Sequence, residues 1–257
     1  MQNENVNLTQ EHKELHKELH KEFYLTCEKY YIFELLTIAG GMMGLYTYNL
    51  RGEVFCNAQT GNVVKMALAF GEGRFSAGLY YFIPFVAYIL GTIASEILPE
   101  KVRMSHFIRW DTLLVGIEIL VLFIIGFIPL SWPHQIVQVI INFLCSMQFN
   151  TFRQAEGIPM ATTFVTNHVR QIGINIAKTI MHHDVHDREE ARRKMTRHGN
   201  IIIAFFIGGV VMTAASEYLK EIAIWLAIVP LSVCFVVMLR SDLIYEKAML
   251  DLKPHGH

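Results

Sequence analysis

Long, nearly uncharged apolar blocks recur along this chain, several of them near the ~20 residues needed to cross hydrocarbon. In lipid every backbone N–H and C=O must be satisfied inside the segment, so each block is expected to fold as a helix. The blocks occupy 31–49, 78–98, 110–130, 135–152, 201–215 and 222–239, the last two short or polar at one end. A chain of 257 residues that is 53% apolar and 18% charged, with mean hydropathy +0.33, is expected to be an all-α, polytopic membrane helix bundle.

A charged leader, 1–29, precedes the first block. Its stretch "EHKELHKELHKEF" repeats every four residues, which sets His12, His16 and His20 on one helical stripe and Leu15, Leu19 and Phe23 on another. Glu14 with Lys17, and Glu18 with Lys21, fall at i,i+3 and support a solvated helix. Histidines four apart also suit a divalent metal, but the solvated helix is the simpler reading. No apolar region comes after a basic start, so no cleavable signal is expected and the first span directs insertion. Cys27, Cys56, Cys145 and Cys234 are scattered without a C-x-x-C pair. They read as small packing residues rather than a disulfide framework or zinc site.

Orientation is set by lysine and arginine in the short loops. Residues 99–109 carry Lys101, Arg103 and Arg109, and 182–199 carry Arg188, Arg192, Arg193, Lys194 and Arg197, so both are expected to be cytoplasmic loops. The connection 131–134 has no cation, and Lys220 is outweighed by Glu217 and Glu221, so both of these are expected outside. Six spans meet this pattern only if 55–73 and 162–181 enter the membrane and leave on the same side. Both termini are then cytoplasmic, including the tail 241–257. If both segments cross, there are eight spans and the 99–109 loop is forced outside; six is the preferred reading.

Those two odd segments resemble each other. Sliding the chain by 106 positions lays "GGMMGLYTYNLRGEVFCNAQTGNVVKM" (40–66) over "SMQFNTFRQAEGIPMATTFVTNHVRQI" (146–172) without a gap. Each has an apolar span, a polar turn and the start of an amphipathic helix. Residues 30–130 form one repeat and 131–240 the other, the basic 182–199 segment accounting for an insertion in the second. Three crossings plus one re-entrant element make an odd number of passes, so the second copy is inverted, an arrangement in which transporters hold substrate between broken helices.

Irregular backbone at membrane depth survives only against protein or water, so the two polar elbows are expected to face one another and line a path. In the first, Asn57 and Thr60 are placed to cap the next helix, Gly61 allows close approach, and Gln59, Asn62 and Lys65 add polar groups. In the second, Thr163 and Thr166 take the places of Asn57 and Thr60, and Asn167 and His168 those of Gly61 and Asn62. Gln148, Asn150, Arg153, Thr162 and Arg170 complete the expected lining. The bland alternative is that all of these only cap helices and bind the repeats together.

"GLYTYNLRGEVFCNAQTGNVV", together with "CSMQFNTFRQAEGIPMATTFVTNHVRQ" further along, resembles the YoaK family of bacterial inner-membrane proteins. The first stretch matches its F-x-x-x-Q/M-T-G-N signature at Phe55, Gln59, Thr60, Gly61 and Asn62. The second matches further elements at Met147, Gln148, Arg153, Ala161, Thr162, Thr163 and Thr166, with Asn167 where glycine is common. The resemblance covers 31–240 and implies a multi-pass fold in a bacterial inner membrane, without implying an activity.

A charge at mid-membrane costs about 3 kcal/mol on insertion scales and needs a partner or water. Glu34, Asp111 and Glu118 are the acidic candidates, and Asp111 and Glu118, seven apart, share a helix face. Glu118 is the deepest; it reads either as an ion pair with Lys65 or Arg170, or as a group that couples transport to protons. Arg153 and Arg170 make the second elbow the more positive, which favours an anionic solute. The run "HHDVHD" offers His182 and His186 to a metal, but His183 stands where a metalloprotease needs its glutamate. Nucleophile-elbow, Walker and dinucleotide motifs are lacking, so no enzyme and no cofactor are expected. The basic segment, mixed with Glu189 and Glu190, suits anionic lipid rather than nucleic acid. The sequence thus reads as a transporter or channel for a small polar or anionic solute, with lipid as partner and a homo-oligomer left open. Metal sensing or delivery through the histidines, or a structural scaffold, are the alternatives.

Overall fold

The computed structural model describes residues 23–103, 107–181 and 184–256; His12, His16, His20 and His182 lie outside them. The described chain is all-α apart from one small hairpin. Helix α1 spans Tyr30–Leu50, α2 Gln59–Gly71, α3 Phe75–Arg103 and α4 Trp110–Ile125. After these come α5 at His134–Thr151, α6 at Thr166–Met181, α7 at Val185–Leu219 and α8 at Trp225–Arg240. A 3-10 turn, Lys220–Ile224, joins α7 to α8, and Gln154–Ala155 pairs with Ile158–Pro159 as β1 and β2.

Every apolar block is helical over most of its length, and Pro84 and Pro230 sit inside α3 and α8. Two expectations need correction. The segment 182–199, expected as a basic loop, is helical from Val185 onward. Asp184 Oδ1 accepts the His186 N–H at 2.6 Å and the Asp187 N–H at 3.4 Å, capping α7, and Glu190 pairs with Lys194 at 2.6 Å one turn on. The block 110–130 stops being helical at Ile125. The carbonyls of Ile128 and Pro129 instead accept the Arg51 guanidinium at 2.6 and 3.1 Å.

The halves interlock. Helix α1 packs on α7 while α5 packs on α3; α2 folds back on α3 as α6 folds back on α7; α8 lies against α1 and α4. The main crossings bring backbones together. A Cβ added at Gly208 would stand 2.2 Å from the Ile38 carbonyl oxygen, and one at Gly91 2.3 Å from that of Phe143. Only small residues allow such an approach.

Each end of the bundle is tied by polar groups. At one end Arg109, which precedes α4, meets Asp242 at 3.3 Å and Glu246 at 3.5 Å beyond α8. Thr26 N–H and Oγ1 donate to Glu246, and Glu28 accepts the His255 N–H at 2.7 Å. At this same end Arg197 bonds Glu156 at 2.5 Å, and Glu156 also accepts the Tyr30 N–H at 3.3 Å, at the start of α1. Burial pushes the Glu156 carboxyl up, but these hydrogen bonds and the charges of Arg197 and Lys29 outweigh it and hold it below the usual carboxylate range. At the opposite end the buried Arg51 guanidinium also donates to Tyr46 Oη, and Gln138 donates to the Arg51 carbonyl at 2.5 Å. A buried charge costs several kcal/mol unless its donors are met, and these carbonyls and the phenol meet them.

Between these ends the chain doubles back twice. Leaving α1 at the Arg51 end, it returns so that Asn57 reaches Gly40, halfway along α1, before α2 leads out again to α3. Leaving α5 at the Arg109 end, it turns through the hairpin and returns so that Thr162 reaches the same Gly40. Among the described residues two helical stretches, Phe75–Val102 and the run Val185–Tyr245, are long and apolar enough to cross a membrane.

Candidate functional site: two polar elbows on the middle of α1

The elbows converge on one glycine. Asn57 Nδ2 donates to the Gly40 carbonyl at 3.3 Å. A Cβ added at Gly40 would stand 2.6 Å from the Thr162 carbonyl oxygen and 3.5 Å from Thr163 Cα. One turn on, a Cβ at Gly44 would meet Asn57 Nδ2 at 2.6 Å. Helix α1 is glycine-rich here because a side chain would hold both elbows off.

Each elbow is also bonded to α5. Gln59 Nε2 donates to Asn142 Oδ1 at 2.8 Å and to the Cys56 carbonyl at 3.3 Å. Gln148 Nε2 donates to Thr162 Oγ1 at 3.0 Å and to the Leu36 carbonyl at 3.3 Å. Gln148 Oε1 and Thr163 Oγ1 are buried without a close hydrogen bond, and the Tyr88 phenol of α3 lies near enough to Thr163 to interact with it. The centre of the molecule is thus a polar cluster drawn from α1, α3, α5 and both elbows.

Two elbow residues stand out by what they hold. Buried Asn62 accepts the Phe55 N–H at 3.0 Å and donates to the Phe55 carbonyl at 2.6 Å. Buried His168 brings Nε2 within 2.9 Å of the Ala161 carbonyl and 3.3 Å of the Ala161 N–H. In each case one side chain staples the chain seven residues back. His168 Nδ1 also lies 2.9 Å from His198 Nδ1 on α7, so one of the two rings donates to the other.

The capping expectation fails. The residue preceding α2 is Ala58, with no side-chain cap, and Asn57 Oδ1 is bonded to the Ala58 N–H at 2.8 Å. Thr60 and Thr166 are both exposed, whereas their expected partners Asn57 and Thr163 are both buried. On a helix the inward and outward faces lie only a residue or two apart, and the threonines chosen from the sequence fall on the outer one. Gly61 does allow close approach: a Cβ there would sit 2.8 Å from the Phe55 ring.

The charged candidates scatter. Lys65 bonds the Glu53 carbonyl at 2.5 Å and lies 4.7 Å from the Tyr48 ring centroid, away from Glu118. Arg170 is exposed and bonds Asn167 at 2.9 Å. Neither reaches Glu118, and both its carboxyl oxygens are buried without a hydrogen-bond partner, so the ion-pair expectation is corrected. Arg153 pairs with Glu96 and donates to the Gly256 carbonyl at 3.2 Å; Asn150 bonds Ser95 and Glu96, each at 2.8 Å. This group borders a cavity of about 170 Å³ at the Arg109 end, which buried Asp111 also lines. Glu34 is half-buried and interacts with Tyr30. Among the described residues no three histidine, cysteine or acidic side chains come together as a metal site, and His186 stands beside Asp184 on α7.

Sequence reading missed His198, Asn142, Gln138, Arg51 and Tyr88. Asn142 and Gln138, polar residues in an otherwise apolar block, carried a usable signal; His198, inside a charged stretch, carried none.

These features define an all-helical protein with a buried polar centre, and the chain belongs to a sequence family matched over residues 32–237. That family is described as a protein of unknown function, DUF1275. Neither a curated protein nor a solved structure matches the chain.

Proposed function

We propose that the protein is a multi-pass membrane protein of the bacterial inner membrane, in keeping with its resemblance to the YoaK family, and that its two inverted repeats form a path for a small polar or anionic solute. The carrying observation is that two elbows, returning from opposite ends of the bundle, meet at Gly40. Polar backbone brought to mid-depth from both sides is the architecture of alternating access, and the tight packing at Gly40 corresponds to a closed state. This reading entails six crossings, α1, α3, α4, α5, α7 and α8, with both termini at the Arg109 end. The outer surface supports a lipid setting: Leu79, Phe82, Ile83, Ile89, Leu90, Ile93 and Ile97 of α3 are exposed, an apolar stripe that suits lipid better than water.

The test is uptake into proteoliposomes of labelled amino acids, organic acids and inorganic anions. Thr163→Val, at the meeting point, is expected to lower flux of the transported solute about tenfold, the scale of one hydrogen bond to that solute, for which the Thr163 hydroxyl is left without a close protein partner. Thr60→Val, on the outer face, is expected to leave it unchanged. Equal flux from folded Thr163→Val protein would favour a structural scaffold.

A further inference from the structure

Cys56 and Cys145 sit side by side at the first elbow. Their Sγ atoms are 3.4 Å apart, and both residues are fully buried. The sulfurs come from elements 89 residues apart in sequence, the elbow leading into α2 and the later half of α5. A second contact holds them in register. Gln59 Nε2 bridges the Cys56 carbonyl and Asn142 Oδ1, and Asn142 lies one helical turn before Cys145. The other cysteines stand elsewhere; Cys234 contacts the Ile32 carbonyl at 3.8 Å.

We propose that Cys56 and Cys145 are an oxidisable dithiol, and that a small disulfide-class oxidant converts them to a cross-link clamping the first elbow to α5. Closing the bond requires the sulfurs to approach by about 1.4 Å, to the ~2.05 Å of a disulfide. The chemistry balances as thiol–disulfide exchange. When the elbow opens to solvent, one cysteine gives up its proton and the resulting thiolate attacks the oxidant's S–S bond, forming a mixed disulfide and releasing one small thiolate. The second cysteine attacks the protein sulfur of that mixed disulfide, forming the Cys56–Cys145 bond and releasing the second small thiolate. The two cysteine protons pass to solvent and then to the released thiolates, so two protein thiols are oxidised as one small disulfide is reduced.

Thiol geometry carries the cross-link independently of transport. Cross-linking is read by mass and flux separately, so a cross-link that leaves flux unchanged would count against the transport reading alone. The full-length protein in detergent is treated with dithiodipyridine, free thiols are alkylated, and peptides are mapped without reductant. The expected result is a linked peptide pair containing Cys56 and Cys145, lost on reduction and lost in both Cys56→Ser and Cys145→Ser. Pyridyl adducts without a link, a link to Cys27 or Cys234, or two unreacted thiols that react once the protein is denatured would each overturn the proposal. The wild-type map decides even if a serine variant fails to fold.

Discussion

Asn62 and His168 do the same work 106 residues apart: each folds its side chain back onto the backbone of the residue seven positions before it, Phe55 or Ala161. Those targets are also 106 apart. Two different side chains meeting one geometric demand supports a shared elbow design more directly than sequence identity, which is low.

Removing either staple leaves backbone groups unpaired, partly buried ones at Phe55 and buried ones at Ala161. Asn62→Ala and His168→Ala are each expected to destabilise the protein by about 1–3 kcal/mol. His168→Asn, which restores the first elbow's solution, is expected to recover part of that loss. Denaturant melts of detergent-solubilised protein measure all three; no recovery would show that the elbows are not interchangeable.

Gly40→Ala places a methyl against the Thr162 carbonyl. Because the obstruction is backbone, the elbow must move, and overpacking of this kind costs about 1–3 kcal/mol. A lower melting temperature is expected, together with faster proteolysis in the 153–165 segment. Gly173→Ala, where an added Cβ meets nothing within 4 Å, is the matched control.

Glu118→Gln is expected not to lower the melting temperature, since the carboxyl oxygens have no hydrogen bond to lose. A clear drop would reveal a partner. If Glu118 couples transport to protons, the same variant flattens the pH profile of flux without unfolding the protein.

The Glu156 carboxyl, held low by Arg197 and the Tyr30 N–H, gives a pH dependence of definite sign. Its folded pKa lies below its unfolded value, so its contribution is present above the ordinary carboxylate range and is lost as pH falls through the lowered pKa. Wild type and Glu156→Gln should therefore differ in melting temperature at neutral pH and converge in acid. The group is only partly buried, so the gap should also narrow with added salt.

Lys101→Cys and Lys194→Cys are expected to react with an impermeant thiol reagent from the same side of oriented vesicles, and Lys220→Cys from the other. Opposite sides for the first two would favour eight crossings.

Much of the scaffold was legible because long apolar blocks permit only helices, and the elbows were legible because asparagine, glutamine and threonine interrupt those blocks. The faces were not. Thr60 and Asn62 were both placed on the inner face, and telling them apart depends on where α2 begins, of which Ala58, a poor cap, gives no local sign. Pairing Glu118 with a cation assumed that nearby charges meet, whereas Lys65 turns to Tyr48 and Glu53. The helical start of 182–199 was written in Asp184 as an N-cap, a signal outweighed by the many charged residues after it.

The polar knot at the Arg109 end has a consequence for biogenesis. Thr26, Glu28 and Arg109 are secured by Glu246, His255 and Asp242, all of which follow α8 in the chain. The first helix must therefore wait, without these anchors, until a ribosome has passed α8, so this end of the bundle closes only after helices α1 to α8 have been made.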